Sequence, residues 1–261
     1  MKRKLLKLFI GTFYAHTLYA DSDNPCSDML NVVNSPSYLS SPCSIPFKKV
    51  LIELNYIDQQ LNGHQGVQQS VPNAEIRFGL PYNNEFDINP PTYIQQKSFP
   101  GSGNTTTFFT FKHSIYYNQQ WIFAVEEIVN TPGGSAAYGS HGWGSTFNGV
   151  ANYTINDYLS FAGMLGISRI SDPSLNGGHY FNSINPDVVL SYSISDKLLL
   201  YGEVYGQSKI SAEEGAGFNF DSGILFHIYP NTVVSISGGQ QLYNYLGGFT
   251  HYINFAMCVM M

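Results

Sequence analysis

The sequence predicts an all-β fold: a closed, antiparallel transmembrane β-barrel of about twelve strands, preceded by a short disulfide-bearing segment. Three observations carry this reading. Segments of about ten residues, long enough to cross a bilayer as tilted strands, alternate apolar and polar along most of the chain. Charged residues make up only 11% of the chain and aromatics 15%, where a typical soluble domain carries roughly 25% charge. Tight turns alternate with longer polar loops, as in barrels that keep short turns on one side of the membrane.

The chain is expected to open with an export signal. Lys2, Arg3, Lys4 and Lys7 form a positive head, Leu8 to Leu18 an apolar middle, and Ala20 the expected cleavage position, so that residues 1–20 are expected to be removed with Asp21 as the first mature residue. Asp-Asn-Pro before Cys26 does not make a lipoprotein cleavage box. Residues 21–46 differ from all that follows, with two cysteines, several prolines and serines and no alternation. They read as an N-terminal periplasmic segment. Cys26 and Cys43 can close a loop in an oxidising compartment, and the alternative is two free thiols. Ser27 is placed to cap a short helix through Val33. Cys258 reads as a small buried or lipid-facing residue.

The barrel domain covers residues 47–261. Its first strand, at about 48–57, sets Val50, Ile52, Leu54 and Tyr56 against Leu51, Glu53 and Asn55. A polar loop from Asp58 to Ser70 leads to a second strand at about 71–80, with Ala74, Ile76, Phe78 and Leu80 outward and Glu75 and Arg77 inward. Pro81-Tyr82-Asn83-Asn84 is a turn by residue type. The third strand points Phe86 and Ile88 out and Glu85, Asp87 and Asn89 in, and Pro90-Pro91 then interrupts it. The fourth, at about 105–117, faces Phe109, Phe111, Ile115 and Tyr117 outward, opposite Thr110, Lys112 and Ser114. Trp121 to Val129 is the fifth, in which Glu126 and Glu127 cannot both face inward. Phe147, Ala151, Tyr153 and Ile155 mark the outer face of the sixth strand, and Leu159, Phe161, Leu165 and Ile167 that of the seventh.

From Asn185 to Asn231 three more strands follow. Val188, Leu190, Tyr192 and Ile194 share one face. Leu198, Leu200 and Val204 oppose Tyr201, Glu203, Tyr205 and Gln207. Phe218, Phe220, Ile224, Phe226 and Ile228 oppose Asn219, Asp221 and His227. Thr232 to Leu242 and Phe249 to Val259 complete the ring. With the N-terminus in the periplasm, the turns at 81–84, 118–120, 156–157, 195–197 and 230–231 all fall on one side.

Function in such a barrel lies on the lumen face or in the outer loops. The inward ionisable set is Glu53, Glu75, Arg77, Glu85, Asp87, Lys112, Glu203, Asp221 and His227. Buried charges need partners, so Arg77 and Lys112 are expected to bridge the carboxylates. They would do so either to brace the interior or to form a constriction that selects solutes. Tyr201, Tyr205, Tyr116 and Tyr252 are expected to point inward as well. No catalytic, cofactor or metal site is expected. None of His64, His113, His141, His179, His227 and His251 has a serine two residues later on the same face, and no metal-ligand spacing occurs. The net charge of −6 argues against nucleic acid.

Two stretches resemble a known family. Cys26 to Tyr56, and the hairpin Asn73 to Pro91 with Arg77-Phe78-Gly79-Leu80 and Glu85-Phe86, are similar to the outer-membrane β-barrel transporter family named for the MetA pathway of phenol degradation. The resemblance implies a Gram-negative outer-membrane location and the barrel fold more than a substrate. Such barrels usually end in an aromatic residue; here the nearest is Phe255. The expected function is a passive path or binding cavity for a small, aromatic or hydrophobic solute, with membrane lipid and the barrel assembly machinery as partners. The alternatives are a closed barrel acting through its outer loops, and an outer-membrane lipid hydrolase.

Overall fold

The computed structural model describes residues 24–63 and 65–261; the expected export signal and His64 lie outside the described residues. The strands are β1 (Val50–Leu61), β2 (Val67–Leu80), β3 (Asn84–Asn89), β4 (Tyr93–Gln96) and β5 (Gly103–Asn104). Next come β6 (Phe108–Tyr117), β7 (Trp121–Asn130), β8 (Gly144–Thr154), β9 (Leu159–Ser171) and β10 (Tyr180–Ser195). The ring finishes with β11 (Leu198–Gln207), β12 (Gly217–Tyr229), β13 (Thr232–Tyr243) and β14 (Phe249–Met260). Neighbours are antiparallel throughout, and β1 pairs with both β2 and β14, which closes the sheet.

The barrel has twelve staves, because β3 and β4 are two pieces of one, and β5 (beside β4) and β6 (beside β3) are two pieces of the next. Pro90-Pro91 separates them, as the sequence predicts. A proline cannot donate to the ladder, so β3 pairs with Ile76 to Leu80 of β2 and the chain resumes as β4 beside Gln68 to Ser70. All the connections predicted to be tight lie at one end, the turn end. In one of them Tyr82 and Asn83 hold φ of 63° and 56°, the left-handed pair that matches the strand twist.

Two local expectations are corrected. The predicted loop from Asp58 to Ser70 is mostly strand: Gln59 faces Gln68, and only residues 62–66 connect β1 to β2. Both faces there are polar, so no alternation marks the strand. On the fourth stave a bulge follows Ser114, where Ala124 pairs with Ser114 but Phe123 with Tyr116. One extra residue swaps the faces beyond it. Tyr116 therefore points outward and Tyr117 inward, the reverse of the expectation.

The outer face is an apolar band that includes Phe111, Phe147, Phe161, Leu165, Ile167 and Leu190. At the turn end Trp121 packs 4.5 Å from Tyr153 and 5.3 Å from Phe123 between ring centroids, a girdle of the kind that sits at a membrane boundary. Among the described residues no helix is long and apolar enough to cross a membrane; the crossing falls to the strands.

Residues 24–46, set apart by composition, lie inside the barrel. A short helix, α1 (Met29–Val32), is capped by Asp28 rather than Ser27: the Asp28 carboxylate accepts from the Leu30 N–H. The Cys26–Cys43 disulfide is formed, across 17 positions. Met29, Leu30, Val32, Val33, Leu39 and Ile45 pack against inward side chains of the turn half, among them Leu51, Ile122, Val189, Leu199, Leu225 and Val233. This half of the lumen is lined by apolar side chains, and Cys258 is buried among them.

Candidate functional site

The plug is seated on carboxylates that project from the barrel wall. Glu53 on β1 accepts the backbone N–H of Asn34 (3.0 Å) and Ser35 (2.7 Å). Glu203 on β11 accepts those of Tyr38 (3.0 Å) and Leu39 (2.8 Å) and the Ser37 hydroxyl (2.8 Å). Glu85 on β3 takes the Ile45 N–H. A buried carboxylate needs several donors, and an irregular segment has backbone donors that no sheet or helix uses. Each supplies what the other lacks. The plug then joins β1 through Pro46 to Lys49. Lys48 N–H donates to the Gly79 carbonyl (3.2 Å) and Gly79 N–H to that of Lys49 (2.9 Å). A Cβ at Gly79 would run into the Pro46 carbonyl.

Beneath the plug the expected bridges are present. Arg77 donates to Glu53 Oε1 (2.8 Å) and to Glu85 Oε1 (2.9 Å). Its guanidinium also reaches the carbonyl oxygens of Val32 (2.7 Å) and Cys43 (3.4 Å). Lys112 Nζ lies 3.3 Å from Glu85 and 3.9 Å from Glu126. Glu126 is the member of its pair that faces inward, and Glu127 faces out. Glu53, Arg77, Glu85 and Lys112 are all buried, and none is in the wall of the cavities described below. Glu75 and Asp87, from the same predicted set, form no salt bridge among the described residues and border a cavity above the plug.

A second group sits across the lumen. Glu203 and Asp221 are paired positions of β11 and β12, and Tyr252 donates its hydroxyl to Asp221. Asp187 on β10 joins them, fully buried. The inward ionisable set expected from the sequence does not include it, although it precedes Val188 by one position and alternation turns it inward. Tyr201 and Tyr205 point inward as expected, and Tyr205 stacks on the plug's Tyr38 with centroids 4.6 Å apart. His227 is half-buried near the turn end of β12, away from both groups, and its Nε2 has no hydrogen bond among the described residues.

Above the plug Tyr38 stands between two chambers, and Tyr38 and Gln207 border both. One, of about 430 Å³, is walled by tyrosine and side-chain amides, including Tyr205, Tyr252, Asn55, Asn219 and Asn254. The other, of about 320 Å³, has Glu75, Asp87 and Glu126 in its wall. Among the described residues no group of three or more His, Cys, Asp or Glu is placed to hold a metal ion.

A closed antiparallel barrel with an apolar outer band and a polar, plugged lumen has the architecture of an outer-membrane β-barrel. Solved structures of that class share the fold. An outer membrane channel from Pseudomonas putida F1 aligns with a TM-score of 0.64 at 11% identity, covering 88% of this chain and all of that one. The NanC porin aligns at 0.53 with 11% identity over 80% of this chain and 99% of its own, and the KdgM porin at 0.51 with 8% over 79% and 98%. No protein-family model matches the chain, and no curated protein does.

Proposed function

We propose that the chain is an outer-membrane channel that gives a small, uncharged or aromatic solute a passive path, or a binding cavity, beside its plug. Plug and tight turns face the periplasm in this reading, and the long loops face outside. The observation that carries it is a run of cavities along the plug. The tyrosine-walled chamber shares Ser35, Pro36 and Ser37 with a constriction of about 100 Å³. The constriction shares Leu30, Asn31, Ile122 and Leu199 with a third cavity of about 300 Å³ at the turn-end mouth. Neither the chamber nor the constriction has Asp, Glu, Lys or Arg in its lining. An ion there would lose its water without gaining a partner, whereas a neutral ring can stack on Tyr38 and Tyr205. The resemblance to the MetA-pathway transporter family, and the channel and porins that share the fold, agree with this reading.

Planar-bilayer conductance tests it. Stepwise conductance is expected from the wild type and a larger step once residues 24–46 are removed or the disulfide is reduced. Ala162→Phe, at the constriction wall, is expected to lower the wild-type step while the plug stays docked. A protein silent in every form overturns the channel. The anchoring of the plug by Glu53, Glu85 and Glu203 favours a second reading, a closed barrel acting through its outer loops. A silent barrel whose loop deletions abolish binding to cells or surfaces supports that one. Phospholipid hydrolysis by the purified protein would overturn both.

A further inference from the structure

The second chamber, the one bordered by carboxylates, has a chemistry of its own. Five carboxylates from neighbouring strands, Glu53, Glu75, Glu85, Asp87 and Glu126, share two cations, Arg77 and Lys112. Both cations sit below the chamber, on Glu53, Glu85 and Glu126. On the chamber side Glu75 keeps one bond, from the Asn34 amide at 3.0 Å, and neither oxygen of the fully buried Asp87 has a hydrogen-bond partner among the described residues.

Two further side chains, not acidic, repeat the pattern. Asn148 and Asn185 border the same chamber, are 3% and 6% exposed, and each has an amide oxygen with no donor among the described residues. The orientation of Asn148 is fixed, since its Nδ2 donates to Glu126 Oε1 at 2.7 Å. Residues of β3, β8 and β10 whose oxygen acceptors have no donor among the described residues therefore border one space of about 320 Å³. Burying acceptors unpaired is unfavourable. A ligand carrying several N–H donors and positive charge satisfies them together.

We propose that this chamber is a binding site for a small organic ammonium ion, held by Asp87 and Glu75 with the amide oxygens of Asn148 and Asn185. A bare metal ion fits less well, because among the described residues no three His, Cys, Asp or Glu side chains are grouped to hold one. The chamber reaches Phe108 and Asn130, at the loop-side ends of β6 and β7, which gives the ligand its way in. The site stands apart from the neutral path and does not require that the barrel conduct.

Isothermal titration of the full chain in detergent micelles with putrescine, a linear diamine, tests it. Saturable binding is expected, with none for the corresponding diol. Asp87→Asn keeps the shape and removes the charge, and is expected to weaken binding about tenfold or more. Glu75→Gln serves as the second variant should Asp87→Asn fail to fold. Asp221→Asn, on the other side of the lumen, is expected to leave binding unchanged. The proposal is overturned if the wild type does not bind putrescine, or binds it equally well in both chamber variants, which would leave protonated carboxyls as the occupants. Because binding is read in micelles, a protein silent in bilayers that still takes up putrescine refutes the channel and not this site.

Discussion

At the scale of single residues, Arg77 is the side chain on which most depends. It neutralises two buried carboxylates and bonds two plug carbonyls. Arg77→Ala leaves Glu53 and Glu85 facing each other without their main counter-charge, which is expected to cost about 3–5 kcal/mol. Denaturant unfolding in detergent micelles measures it, and a loss under 1 kcal/mol would contradict the anchoring role. In the long loops, the Tyr138 hydroxyl lies 2.8 Å from Gln96 Oε1 and 2.7 Å from the Gly101 carbonyl, and donates to one of them. Burial raises its pKa. The neutral phenol is the form the fold prefers, so its contribution is complete below the ordinary phenol range and lost as pH climbs through the raised value. An alkaline absorbance titration of wild type against Tyr138→Phe should show one late-ionising phenol missing from the variant. Alternation read most of the inward set correctly, including Arg77 and Lys112 as bridging cations. It failed where a single inserted residue changed the phase, at Tyr116, since no residue type announces that bulge.

At the scale of elements, the N-terminal segment was legible by composition and by its two cysteines, and its position was not. The barrel strands did hold a signal for it. Val50-Leu51-Ile52, Val188-Val189-Leu190, Leu198-Leu199-Leu200 and Ile224-Leu225-Phe226 are apolar on both faces, and the middle residue of each is the one buried inside. A water-filled lumen would have polar side chains at those four positions. Strands greasy on both sides are covered on both sides, here by lipid and by the plug. The disulfide closes the plug loop and, in the chain-entropy model, contributes about 3 kcal/mol for a loop of this size. Cys26→Ser with Cys43→Ser is therefore expected to leave a folded barrel whose residues 24–46 are cut quickly by added protease. Equal protection in the wild type and the double variant would show that the carboxylates hold the plug unaided.

At the scale of the whole molecule, the parity of tight turns and long loops was the most informative feature of the sequence, because twelve weak signals had to agree. What it could not supply is how the interior is filled, which depends on contacts between residues far apart in the chain, such as Glu203 with Tyr38. The outward band predicts that the protein fractionates with outer membranes, resists carbonate extraction and shows heat-modifiable gel mobility. Recovery in the soluble fraction would contradict it.

The join between plug and barrel also decides where a pull goes. Residues 24–46 run straight into β1, and β1 is one lip of the seam that seals against β14. If the join were slack, tension on the plug would peel that seam open. The fastening of Pro46 to Lys49 against Gly79 diverts the load into β2, which is locked on both sides. The plug can be tugged without unzipping the cylinder. Gly79→Ala, which forces the Pro46 carbonyl away, is expected to turn extraction of the plug under force from a separate early event into one that coincides with rupture of the barrel.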